Sequence, residues 1–167
     1  WLIGLSGSGK TTIGKKLYSE LKTHHPNLIF VDGDEFREVM GNDLGFSYED
    51  RQKNAYRFSN FCYFLDKQNI HLVCCVLSNF PEWQKWNREK FKQYFEVFVD
   101  TSLEKLVERD IKNLYKLAIS GKKSNVVGVD IPFVPPENAD LILDNNHDFK
   151  DISPQVKKIL NVLPKLS

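Results

Sequence analysis

No apolar run in the chain approaches the roughly 18 residues that a membrane-spanning helix needs, and no signal segment is visible at its start. An excess of one charge is missing too. The 23 basic and 22 acidic residues leave a net charge of +1, which supplies no broad field for nucleic acid or an anionic membrane surface. Cysteine is scarce: Cys62, Cys74 and Cys75 form no C-x-x-C pair, and the last two sit side by side in the apolar run "IHLVCCVLS". Adjacent strand residues point to opposite faces, so these read as buried, reduced thiols of a cytoplasmic protein. Repeats, low-complexity tracts and linker-like stretches are absent, which argues for one domain over residues 1–167. What is present is core material. Hydrophobic residues make up 41% and aromatics 13% of the 167, enough for a folded globule rather than a disordered chain.

Five apolar, β-branched runs read as strands: "WLIGLS", "NLIFVDG", "HLVCCVLS", "FEVFVD" and "ADLILDN". Helical stretches at 10–22, about 49–67, 81–92 and 102–118 alternate with them, and "SPQVKKILNVLPKL" closes the chain as a short amphipathic helix. Phe58, Phe61, Cys62 and Leu65 lie at helical spacing on one face. This alternation predicts an α/β fold with a five-stranded parallel sheet flanked by helices on both faces. Ligands in such sheets sit beyond the carboxyl ends of the strands. The chain opens inside its first strand, so a few residues are expected to precede it.

The first strand runs into "GLSGSGKT", where Gly4-x-x-x-x-Gly9-Lys10-Thr11 satisfies the phosphate-cradling loop pattern. Ile13, Leu17 and Leu21 then begin a helical stripe, so strand, glycine loop and helix follow in the required order. Glycines let backbone N–H groups crowd around phosphate oxygens at the positive end of a helix dipole. Gly7, Ser8, Gly9, Lys10, Thr11 and Thr12 therefore form the expected cradle for ATP. Lys10 would reach the β- and γ-phosphates, and Thr11 would hold Mg²⁺. The second strand ends in "FVDGDEFRE", placing Asp32, Asp34 and Arg37 together. One carboxylate there can orient or deprotonate an acceptor hydroxyl, and the arginine can grip an anion. Taken alone, the cluster could equally be a solvated turn capping a helix. No N-K-x-D motif follows, which disfavours a GTPase. In "NDLGFSYEDRQKNAYR", Arg51 and Asn54 lie three apart at a helix start and can face one ligand, while Phe46 can stack on a base.

At this point the sequence resembles the adenylylsulfate (APS) kinases. Their pattern joins G-L-S-x-S-G-K-[ST] to D-G-D-x-x-R, L-G-F-S, D-R-x-x-N and R-D-x-K-x-L-Y. The counterparts here are Gly4 to Thr11, Asp32 to Arg37, Leu44 to Ser47, Asp50 to Asn54, and Arg109, Asp110, Lys112, Leu114 and Tyr115. The resemblance implies a P-loop kinase that moves the γ-phosphoryl of ATP to the ribose 3′-hydroxyl of a 5′-modified nucleotide. It puts Asp32 at the hydroxyl. Asp34, Arg37, Arg51, Asn54, Lys112 and Leu114 would be at the acceptor, and Arg109 near ATP, with a lid over about 112–130. Ser78 matches the serine of the family's I-S-P motif and reads here as a strand-end hydroxyl bonding to backbone or acceptor. A homodimer is the expected assembly if the chain self-associates.

Three departures fall on acceptor-facing segments. I-S-P-[YF]-R becomes "LSNFPEW", a glycine of R-D-x-K-G-L-Y becomes Asn113, and Val126 stands where the family has a phenylalanine over the adenine. One base–aromatic stack contributes about 1–3 kcal/mol, so its loss weakens APS binding by roughly 10- to 100-fold. The resemblance extends to a branch of the family, in bacterial capsule building, whose acceptor is cytidine 5′-diphosphoramidate, and this is the favoured reading. APS itself is the alternative. Shikimate- or gluconate-type kinases are disfavoured by the L-G-F-S and D-R-x-x-N matches, and a nucleotide-binding module without turnover by the presence of Lys10, Thr11, Asp32 and Arg109. The remaining features are read as ordinary. His24-His25 is a solvent-facing loop, and Trp83 and Trp86 pack in the core or at an interface. "GKKS" at 121–124 belongs to the lid.

Overall fold

A computed structural model describes residues 1–110, 113–148 and 151–166. Five strands form one parallel sheet in the order β2-β3-β1-β4-β5: β1 (Leu2–Ile3), β2 (Leu28–Asp32), β3 (His71–Val76), β4 (Val97–Asp100) and β5 (Leu141–Asp144). All five lie where the apolar runs predict them. β1 is short because Gly4 leaves the ladder at once with a φ of +153°. From β1 at the centre, the chain runs to one side for β2 and β3 and to the other for β4 and β5. Such a switch of direction opens a crevice beyond the carboxyl ends of the strands.

Helices cover both faces. On one, α1 (Lys10–Lys22) and α7 (Ser153–Val162) bury Ile13, Leu17, Val156 and Ile159 against Leu2, Cys75, Val97 and Leu143. On the other, α3 (Tyr48–Asp66) and α4 (Pro81–Lys90) join α2 (Gly33–Val39) around Phe36, Phe58, Cys62 and Cys74. Each such aliphatic or aromatic side chain contributes about 1.5–3 kcal/mol when fully buried. Cys74 and Cys75 do point to opposite faces, and all three thiols are buried and free. Burial pushes the Cys75 thiol up to about 12, which keeps it protonated and inert.

Two helical expectations need correction. The "GDEFREV" segment, which the expected helices leave out, is a helix, α2, that the Asp32 carboxylate caps by accepting from Asp34 N at 2.9 Å. The stretch 102–118 is two helices: α5 (Leu103–Arg109) and α6 (Leu114–Ile119). Asn113 takes a left-handed conformation with φ of 51°, and the Asp110 carboxylate accepts from Leu114 N and Lys116 N at 2.7 and 2.9 Å. That carboxylate starts a new helix where a continuous one would need those N–H groups for itself. Trp83 and Trp86 pack edge-on against Tyr56 and Tyr63 of α3 at 5.3 and 5.4 Å, so they join α4 to α3.

Candidate active site

A cleft of about 640 Å³ lies beyond the strand ends, between the glycine loop, α2, α3, the start of α4 and residues 123–127. Of the predicted residues, Gly7, Gly9, Lys10, Thr11, Thr12, Asp32, Asp34, Arg37, Phe46, Arg51, Asn54, Ser78 and Leu114 all line it. Ser8 and Arg109 do not. Ser8 is fully buried, its hydroxyl 3.4 Å from Lys10 Nζ, so its side chain shapes the loop from beneath. Arg109, at the end of α5, donates to His147 O at 2.7 Å and reaches Asp148 at 3.4 Å. Lys112 lies outside the described residues.

The loop is held open by its own chemistry. Gly9 caps α1 with φ of +96°, and a Cβ there would meet Asn145 Nδ2 at 2.7 Å. Lys10 Nζ donates back to Leu5 O at 2.6 Å, which stretches the side chain across the hollow where phosphates would lie. Thr11 Oγ1 donates to Asp32 Oδ2 at 2.7 Å, so the loop and the end of β2 are joined by a hydroxyl–carboxylate pair. Asp32 is 8% exposed, and its other oxygen serves the α2 cap. Because a carboxylate has about four acceptor sites, both bonds leave capacity toward the cleft.

Two residues brace the loop, and one of them escapes motif reading. Asn145, buried just past β5, donates to Ser8 O at 2.6 Å across 137 residues of sequence. Tyr115 donates to Ser6 O at 2.8 Å from α6. Burial first, and then the Asp110 charge, raise the Tyr115 pKa, so its hydroxyl keeps the proton it donates. Tyr115 belongs to the recognised R-D-x-K-x-L-Y run; Asn145 has no sequence signal beyond being polar at a strand end.

Opposite the loop, cations gather. Arg37 donates to Gly45 O at 3.1 Å, and Arg51 donates to Phe46 O at 2.9 Å and Asn125 O at 2.8 Å. Their guanidinium carbons lie 5.0 and 5.3 Å from the Phe46 ring centroid, within cation–π reach. Burial lowers the pKa of both, and for Arg51 the neighbouring Arg37 charge adds to it. Two desolvated, mutually repelling cations at one mouth are an electrostatic invitation to an anion. Asp50 sets this wall by accepting from Gly45 N at 3.1 Å, while Ser47 caps α3 through Asp50 N.

The departures from the family pattern divide. Asn79 turns inward to tie down residues 132–134, donating to Pro132 O at 2.9 Å and accepting from Val134 N at 2.8 Å. It therefore acts through backbone rather than by offering its amide to a ligand. Ser78 adopts φ of 50°, its carbonyl held by Gln84 Nε2 at 2.8 Å. Val126 lines the cleft at 2% exposure, packed with Leu5, Leu106 and Tyr115.

Among protein families, residues 1–144 match adenylylsulphate kinase. The chain belongs to the adenylylsulfate kinase family. A cytidine diphosphoramidate kinase from Campylobacter jejuni is 42% identical over 146 residues, covering 87% of this chain and 85% of its own. An adenylyl-sulfate kinase from Gloeothece citriformis is 35% identical, covering 99% and 93%. The Mycobacterium tuberculosis APS kinase, solved with AMPPNP and APS, superposes with a TM-score of 0.85 at 32% identity, covering 98% of this chain and 95% of its own. This adenylylsulfate kinase family member is thus an ATP-dependent P-loop kinase, and it shares the fold of its solved relatives.

Proposed function

We propose that the protein phosphorylates the ribose 3′-hydroxyl of cytidine 5′-diphosphoramidate. The observation that carries this is Val126: a buried aliphatic side chain lines the cleft at the position where the family's pattern has a phenylalanine over the adenine. Phe46 alone remains to stack on the base, which suits a smaller pyrimidine. The 42% identity to the cytidine diphosphoramidate kinase supports the same acceptor.

The donor phosphates of ATP would lie on the backbone N–H groups of the Gly7–Thr11 loop, with Lys10 leaving Leu5 O to neutralise the γ-phosphate. Mg²⁺ favours hard oxygen ligands and keeps several waters or phosphates in its shell. The Thr11 hydroxyl, oriented by the Asp32 carboxylate at 2.7 Å, fits that requirement and would hold the ion, which would neutralise developing phosphate charge. Asp32 accepts the proton of the 3′-hydroxyl as its oxygen bonds to the γ-phosphorus. The bond from that phosphorus to the bridging oxygen breaks, and ADP leaves. Arg37, Arg51 and Asn54 hold the 5′ anionic group, so that positioning and charge neutralisation supply the rate. Leu114, Ser78 and residues 123–127 close the acceptor side. A homodimer and a cytoplasmic location accompany this reading. Among the described residues no helix is long and apolar enough to cross a membrane.

The test is kcat/KM for cytidine diphosphoramidate and for APS under one set of conditions. The reading expects the cytidine nucleotide to win by tenfold or more; a tenfold advantage for APS overturns it while leaving 3′-phosphorylation in place.

A further inference from the structure

The inner wall of the cleft holds two polar atoms that the mechanism does not use. Trp83 and Asn87 lie four apart on α4, on one face of the helix, and both line the cleft. Trp83 Nε1 and Asn87 Oδ1 are buried and have no hydrogen-bond partner. Asn87 as a whole is 1% exposed. A buried donor or acceptor left unmade is costly, so a donor and an acceptor together on one cavity wall mark a place prepared for a polar ligand.

The orientation of the Asn87 amide follows from its neighbour. The Tyr94 hydroxyl spends its single proton on Glu96 Oε2 at 2.7 Å, so toward Asn87 it can only accept. Asn87 lowers the Tyr94 pKa against the larger upward effects of burial and Glu96, as an amide N–H₂ directed toward the phenol oxygen does, and Oδ1 is left without a partner. The wall therefore carries one unmade acceptor, Asn87 Oδ1, and one helical turn away one unmade donor, the Trp83 indole N–H, both closed to solvent in this arrangement.

We propose that Asn87 and Trp83 recognise a terminal P–NH₂ group on the acceptor, Asn87 Oδ1 accepting from its N–H and Trp83 Nε1–H donating to its phosphoryl oxygen. This rests on the functional reading above and specifies which end of the acceptor is discriminated. With the 3′-hydroxyl at Asp32 and the anionic middle at Arg51 and Asn54, the next turns of α3, at Ala55 and Phe58, lead along the cleft to this wall. A phosphoramidate end offers both N–H donors and oxygen acceptors, the complements of the wall's unmade acceptor and donor. A sulfate or phosphate end offers only acceptors, so its lone pairs would face Oδ1. Sites built to bond a substrate N–H reject analogues lacking it far more strongly than apolar pockets reject a missing methylene.

The experiment measures kcat/KM on four acceptors: cytidine diphosphoramidate, cytidine diphosphate, adenosine 5′-diphosphoramidate and APS. The first two share a base and differ only in NH₂ against oxygen. The wild-type preference within that pair is expected to be at least about 100-fold. Trp83→Phe keeps the ring and removes the donor, and Asn87→Leu removes the acceptor at similar volume. Each should cut the preference to below about tenfold. Because the readout is a ratio within one variant, a general loss of folded enzyme cancels. Variants that keep the wild-type ratio overturn the assignment while the proposed function stands. A wild type that favours APS over both phosphoramidates overturns both. If both phosphoramidates are used well whatever the base, the end-group assignment holds and only the choice of cytidine falls.

Discussion

Asp32 accepts from Thr11 Oγ1 and caps α2, and the proposed function adds to these the role of proton acceptor at the 3′-hydroxyl. Asp32→Asn keeps the shape and one acceptor oxygen but loses the proton-accepting charge. Its kcat should fall by about 10²- to 10⁴-fold with little change in ATP affinity; kcat within threefold of wild type would leave Asp32 as a cap only. Asn145→Ala tests the brace instead. It removes the donor to Ser8 O and leaves a buried carbonyl less well satisfied, costing about 1–3 kcal/mol of stability. ATP KM should rise with kcat less affected, since the change loosens the loop rather than the acceptor side. Steady-state kinetics alongside a denaturant melt would separate these effects. An unchanged KM would mean that the loop holds its shape without Asn145.

At the scale of elements, residues 113–130 are organised by carboxylates that serve backbone. Asp130 accepts from Val126 N and Asn125 N at 2.6 and 2.5 Å, and Asp110 from Leu114 N and Lys116 N. Arg51 then donates to Asn125 O, tying this segment to α3. Backbone N–H bonds from Val126 and Asn125 outweigh desolvation and hold the Asp130 carboxyl below its usual range. At Asp110 desolvation pushes up, and the N–H groups of Lys116, Tyr115 and Leu114 overcome it. Both carboxyls have folded pKa values below their unfolded ones. Their contribution to order is therefore present above about pH 4 and lost as pH falls through the depressed values. In an NMR titration the Val126 and Leu114 amide shifts should move together, with midpoints below about 3.9. Midpoints at or above that value would show that these bonds do not hold this segment. None of this was visible in "RDIKNLYKLA", whose apolar spacing runs straight through Asp110 and Asn113. A pattern of side chains reports which face is buried, not where a carboxylate competes for the helix's own donors. The α2 helix was masked for the related reason that "DGDEFRE" reads equally as a turn until its cap is seen. The strands and α1 were legible because apolar runs and a glycine loop each permit few conformations. Asn145 and Asn79 were not, since both act across more than 50 residues of sequence on backbone atoms.

For the molecule as a whole, the cleft joins parts of the chain that otherwise share little: the central loop after β1, the end of β2, α3 and residues 123–127. A ligand that fills it binds only the folded arrangement, so its binding energy appears as stability. A non-hydrolysable ATP analogue at 100 times its Kd should add about 2.7 kcal/mol. For a chain of this length each kcal/mol raises Tm by about 2–4 °C, so the shift should be about 5–11 °C. Lys10→Ala separates binding from folding. The variant loses the 2.6 Å bond to Leu5 O, which is worth about 0.5–1.5 kcal/mol net, so the apo Tm should drop by no more than about 6 °C. The analogue-induced shift should nonetheless collapse at the wild-type ligand concentration, because the cation that neutralises the terminal phosphate is gone. Differential scanning fluorimetry of both proteins with and without the analogue reads this directly. An undiminished shift in Lys10→Ala would place the phosphates elsewhere than on this loop. A variant that melts far below wild type without ligand would instead make Lys10 a structural strut, fixed on Leu5 O rather than released to phosphate.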